Sequence, residues 1–202
     1  MRKVTALFLV GLILLLVACN GGNNGSVANS GGSGNREESK DEIEVDKNLF
    51  SVAITIPGSF FGSGDLEEIK AEAELEEGIK EVRINSDGSL TYIMSRAAHK
   101  KMIAEMKEAL EETIREMINS GDYPSIIDIK ANKSYTEFLM VVDQENYENS
   151  FDELSVLILG MGSMLYQIFN GADAETANVA MYLEDAYTGE VFDTIILPDD
   201  WN

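Results

Sequence analysis

The 202-residue chain contains one cysteine, Cys19, and one histidine, His99. A catalytic thiol or hydroxyl needs a base within reach and a group that orients the base. A zinc site needs about three or four Cys, His or carboxylate ligands. His99 follows Ser95 by one turn and stands beside Lys100 and Lys101. A capping Ser produces the same spacing at any helix start, so His99 is read as a solvated helix residue. Carboxylates are abundant, with 36 Asp and Glu against 15 Lys and Arg. Asp185, Glu190, Asp193, Asp199 and Asp200 crowd the C-terminal stretch. Hard cations take several carboxylate or carbonyl oxygens. No acidic stretch here follows the Asp-x-Asp-x-Asp-Gly pattern of a calcium loop, so these groups are read as solvated carboxylates. Two carboxylates also suffice for glycoside hydrolysis, but with 36 acids some pair always falls close. The sequence therefore assigns no catalytic residue, no cofactor and no metal.

Two further features bear on binding. Phe60-Phe61 lies between Pro57-Gly58 and Gly62-Ser63-Gly64. An aromatic pair in a Gly-rich loop is either a surface contact or two rings capping the edge of the core. Gly160-Met161-Gly162 lacks the preceding strand and third glycine of a nucleotide fingerprint, so it reads as close helix packing.

The start of the chain is the most informative stretch. Arg2 and Lys3 precede an apolar run from Val4 to Val17, broken only by Thr5 and Gly11. That is the anatomy of a secretory signal, and the run is shorter than the ~20 apolar residues of a membrane span. Leu16-Val17-Ala18-Cys19 then resembles the lipobox of bacterial lipoproteins, with Val17 in place of the commoner Ala or Ser. The resemblance implies removal of residues 1–18, diacylglyceryl transfer to the Cys19 thiol, and residence on the extracytoplasmic side of the cell membrane. Two or more acyl chains, at ~0.8 kcal/mol per buried CH₂, hold a protein stably on a bilayer. Once Cys19 is acylated, no thiol remains for a disulfide or for catalysis, so the exported domain depends on its core alone.

Residues 19–46 are expected to form a tether. Gly, Asn and Ser dominate first, then acids, and such a composition cannot bury enough apolar surface to offset its ordering entropy. A spacer of this length reaches about 25 Å. Residues 47–202 are long enough for one domain with an adequate core. In general layout the chain resembles the small lipoproteins of clostridial-type Gram-positive bacteria. Removal of Arg2 and Lys3 leaves 13 cations against 36 acids, a net charge of −23. Nucleic acid and anionic lipid or wall polymers are disfavoured as electrostatic partners. Basic proteins, cationic peptides and divalent cations remain. Oligomeric state is not legible.

The elements that must position these residues are readable by period. Phe50–Ile56 alternates as a strand. Asp65 caps a short acidic helix to about Glu77. Lys80–Asn85 and Leu90–Met94 flank Asp87-Gly88 as a hairpin. Ser95 caps a long helix to about Asn119, whose Ala98, Met102, Met106, Ala109, Ile114 and Met117 form one apolar stripe. Ile126–Ala131 and Tyr135–Val142 form a second strand pair. Ser150 to Glu153 fits a capping box before Leu154–Phe169, which carries no charge and reads as a helix buried on most sides. Val179–Asp185 and Glu190–Leu197 form a third hairpin. Its turn, Asp185 to Val191, resembles the closing hairpin of PepSY-type exported domains over about seven residues. A Thr-Gly turn accounts for that likeness without a shared activity. The expected fold is α+β: an antiparallel sheet built from hairpins, two main helices on one face, and a ββα unit that recurs at an offset of about 47 residues. The expected role is a membrane-anchored, non-catalytic binding or interaction module. An envelope glycosidase using carboxylates alone, or an inhibitor or immunity protein for a basic partner, are the alternatives.

Overall fold

A computed structural model of the chain describes residues 51–201. The lipobox residues Leu16, Val17, Ala18 and Cys19, the signal segment and the tether lie outside the described residues. Strand β1 (Ser51–Ile56) leads through a 3-10 turn (Gly58–Phe61) to helix α1 (Leu66–Ala73). The hairpin β2 (Ile79–Ile84) and β3 (Leu90–Ser95) follows, then α2 (Arg96–Asn119). Next come β4 (Ile126–Ala131), β5 (Glu137–Val142), the short α3 (Gln144–Glu148) and α4 (Leu154–Phe169). The final pair, β6 (Val179–Asp185) and β7 (Val191–Leu197), ends in a 3-10 turn at Asp199–Trp201.

The architecture is α+β, as the periods imply. The caps act as expected at two helices: Asp65 accepts from the N–H groups of Glu67 and Glu68, and the Ser95 hydroxyl accepts from that of Ala98. Helix α1 stops at Ala73, short of Glu77, and turns lead to Gly78, whose φ of +92° only glycine adopts without strain. At α4 the expected box is replaced. Ser150 accepts from the Asp152 N–H, and Glu153 makes no side-chain cap. Asp152 instead turns inward. Its Oδ2 accepts from both the N–H and the hydroxyl of Ser125, clamping the start of β4 to the start of α4. Asp152 is 5% and Ser125 0% exposed.

The single antiparallel sheet of the sequence reading divides in two. One is a three-stranded antiparallel sheet in the order β1-β3-β2; the other has four strands, β4-β5-β6-β7, with β5 and β6 parallel. The parallel pair follows from its connection. The chain between β5 and β6 carries α3 and α4, and a crossover of that length returns a strand in the same direction, whereas short turns reverse it. The proposed ββα duplication is not confirmed. β3 has β1 as its outer neighbour, antiparallel, while β5 has β6 as its outer neighbour, parallel.

Helix α4 is the centre of the core, with twelve of its sixteen residues buried. It packs on α2, β1 and β6. Gly160 permits this approach: a Cβ there would lie 2.0 Å from Leu197 Cδ1 on β7. The methionines fill the remainder, with Met106, Met117 and Met164 buried and Met102 and Met161 packed beside them.

Candidate functional site

The residues singled out by sequence scatter when placed in three dimensions. His99 is not a solvated residue. It is half-buried, and its Nε2 lies 2.7 Å from the carbonyl oxygen of Phe169, where it satisfies the last turn of α4. The reason lies 70 residues away in sequence, beyond any periodicity. Phe61 is 6% exposed and Phe60 packs partly buried against the core, so the pair caps the core edge and does not form an exposed tip. Gly160 and Gly162 serve packing, as read. Asp185 is buried in the β6–β7 turn and accepts from the Thr188 N–H. Hydrogen bonds from Thr188, and from the backbone around it, hold its carboxyl below the usual range against the opposing effect of burial. Glu190 and Asp199 are exposed. Asp193 and Asp200 come together, as described below. Among the described residues, no three acidic, Cys or His side chains are grouped as a metal site would need.

One side of the four-stranded sheet is covered by no other element among the described residues and carries a partly exposed apolar strip. Alternation sends Phe138, Met140 and Val142 of β5, and Val179, Met181 and Leu183 of β6, into the core. Their neighbours form rows on the other side, set by register. Lys130, Leu139, Tyr182 and Thr194 align; so do Asp128, Val141 and Glu184; so do Glu137, Ala180 and Ile196. Leu139, Val141, Ala180 and Tyr182 are half-buried by their own neighbours, and Ile196 is 42% exposed. Asp128, Glu137 and Glu184 rim this strip, and its one cation, Lys130, is paired with Asp128 at 3.4 Å. The result is an aliphatic and aromatic strip with a net negative border.

Two clefts flank the sheet. The first, of about 460 Å³, lies between α2 and the β4–β5 turn and is lined by Lys107, Glu111, Ile114, Asn132, Lys133 and Tyr135 among others. Tyr135 adopts φ +55°, an uncommon backbone conformation for a residue with a side chain. It is over-determined by its surroundings. Gln167 Nε2 donates to the Tyr135 carbonyl at 3.2 Å, Asn132 Oδ1 accepts from the next N–H at 3.0 Å, and the Tyr135 hydroxyl donates to Glu111 at 3.2 Å. Burial, then the Glu111 charge, push its phenol up to about 12. The second cleft, about 390 Å³, separates the start of α4 from β7 and is lined by Glu153, Val156, Asp193, Thr194, Ile195 and Asp200. Three of its lining side chains are carboxylates and two are aliphatic; the aromatic walls that favour a sugar are not among them.

No protein-family model, no curated protein sequence and no solved structure matches this chain. Sequence reasoning missed the sheet face because it assigned strands to hairpins without a sheet order. The signal was present in Leu139, Val141 and Tyr182, apolar residues at the positions where a half-solvated strand places polar ones.

Proposed function

We propose that this chain is a lipoprotein held on the extracytoplasmic side of the cell membrane through Cys19, and that its domain is a non-catalytic binding module for a basic protein or peptide. The observation that carries this reading is the open face of the four-stranded sheet, where Leu139, Val141, Tyr182 and Ile196 form an apolar strip bordered by Asp128, Glu137 and Glu184. Exposed apolar strips with polar rims are what interaction surfaces present. In a chain of net charge −21 a second copy is repelled, and a cationic partner is steered in. The anchor reading is supported by the signal anatomy and by the placement of the only Cys at the end of a lipobox-like tetrapeptide.

Two measurements test it. A photo-crosslinking residue at Tyr182 in the full chain in cells should trap a partner released by high salt before irradiation, and the same residue at exposed Leu75 should not. Equal capture at both positions, or none at Tyr182, refutes the face. Cys19→Ala should abolish metabolic labelling with an alkyne fatty acid and release the protein from membranes. Continued labelling refutes the anchor.

A further inference from the structure

We propose that Asp193 and Asp200 guard the free edge of β7 and so prevent a second copy of this chain from adding its own strand there. The inference is independent of the basic partner above, because it concerns the edge of the sheet and not its open side.

β7 is well suited to pair with another strand. Its seven residues read Val-Phe-Asp-Thr-Ile-Ile-Leu, β-branched or aromatic at five positions, with neither Pro nor Gly and with one charge, Asp193. Segments of this kind associate readily wherever an edge is open. β7 is such an edge, paired with β6 alone, and Val191 and Ile196 are 49% and 42% exposed. An edge strand presents a row of outward N–H and C=O groups, a template for another chain. Net charge keeps copies apart at long range, but physiological salt screens it beyond about 8 Å. Paired strands lie about 4.8 Å apart. Association at contact is therefore decided at the edge itself.

At that edge the donors are occupied. The Ala180 N–H is given to the Thr136 carbonyl on the β5 side, so Val179, Met181 and Leu183 face β7. Their register partners Leu197, Ile195 and Asp193 face back, which leaves Thr194 and Ile196 facing outward. Both outward N–H groups donate to carboxylates: that of Thr194 to Asp193 Oδ1 at 2.8 Å, and that of Ile196 to Asp200 Oδ2 at 2.6 Å. Asp200 reaches Ile196 from the 3-10 turn that follows the strand.

The arrangement recurs on two other edge strands, β4 and β2. The Asn132 N–H donates to the Glu137 carbonyl, so Lys130 faces β5 and Ile129 faces outward; the Ile129 N–H donates to Asp128 at 3.0 Å. The Asn85 N–H donates to the Ser89 carbonyl, so Val82 faces outward; its N–H donates to Glu74 Oε1 at 3.1 Å. An incoming strand must replace a charge-assisted bond by an ordinary amide–carbonyl bond. It must also enclose the displaced carboxylate beside the carboxylates of its own edge, without a cation to pair them.

The test is self-association of the full chain in detergent, followed by sedimentation velocity at rising protein concentration. The parent should stay monomeric. Asp193→Ala/Asp200→Ala should self-associate at least about tenfold more tightly than Glu108→Gln/Glu116→Gln, which removes the same charge from exposed positions on α2. Thr194→Pro, added to the alanine double variant, deletes an outward donor at a position where an edge strand tolerates proline, and should return it to monomer. Circular dichroism checks the fold of each variant. Asp193→Ala alone, which leaves the C-terminal turn in place, carries the test if the double variant unfolds. A folded alanine variant that stays monomeric overturns the proposal. Equal association by Glu108→Gln/Glu116→Gln also overturns it, by reducing the effect to net charge. So does association that Thr194→Pro leaves unchanged, because the contact then lies elsewhere. A parent chain that already self-associates, and becomes monomeric with Thr194→Pro, would make this edge a dimer interface and refute the guard.

Discussion

Gly160→Ala should destabilise the domain although it replaces glycine by the best helix former. In an exposed helix interior the exchange gains about 1 kcal/mol. Here the new Cβ would sit 2.0 Å from Leu197 Cδ1, where ordinary contact begins at 3.4 Å. Leu197 Cγ, at 3.4 Å, is at ordinary contact distance, but the side chain is 1% exposed, so its Cδ1 has no open space to swing into. Overpacking of a filled core costs about 1–3 kcal/mol, and a shift this large belongs at the upper end. The net is a loss of roughly 1–2 kcal/mol, or about 2–8 °C in Tm for a domain of this size. Gly162→Ala is the control. Its Cβ meets only Leu110 Cδ2 at 3.2 Å, the end of a side chain that can yield, so the helix gain should leave it neutral or more stable. Leu197→Ala alone should cost about 2–5 kcal/mol. Combined with Gly160→Ala it should cost at least about 1 kcal/mol less than the sum, because the new methyl occupies part of the space vacated. Urea unfolding followed by circular dichroism measures all four. A Gly160→Ala protein as stable as the parent, or strict additivity with Leu197→Ala, would refute the packing of α4 on β7 as the reason for this glycine.

Two further outcomes follow from buried polar groups. Asp152→Ala leaves the N–H and hydroxyl of Ser125 without their acceptor at a site of 0% exposure, and should cost about 2–4 kcal/mol in urea unfolding; a cost under about 0.5 kcal/mol would show that the clamp is dispensable. Tyr92, pushed up to about 12 by burial, stays protonated in the fold when the unfolded chain has begun to ionise near its ordinary value of 10. Its contribution is intact below about pH 10 and is lost as pH rises toward about 12, for roughly 2–3 kcal/mol in total. Tyr92→Phe keeps the ring against Phe169 and should remove that part of the alkaline slope of the urea midpoint; an unchanged slope would place the loss elsewhere.

Much of the local structure was legible in the residues themselves. Period-2 runs gave the strands to within one or two residues, because half-buried strands alternate. Ser95 and Asp65 announced their helices, because an N-cap oxygen serves N–H groups within the next turn. The charge-free run Leu154–Phe169 announced a buried helix, because nothing in it tolerates only water. Net charge, being a sum, also needs no fold, and it disfavours polyanions as electrostatic partners.

Only tertiary structure decided which strands are neighbours. Hydrogen bonding between strands carries no side-chain label, so the division into two sheets, the parallel β5–β6 pair and the open face of Leu139 and Tyr182 arise from how α4 packs, not from any local pattern. The same holds for the polar groups. His99 meets the end of α4, Asp152 leaves a capping role for Ser125, and Asp193 joins Glu153 and Asp200 from three separate elements. Each of these depends on a contact between residues far apart in the chain. Sequence spacing governs contacts within a turn or a strand; only burial in a common core brings distant groups within bonding distance.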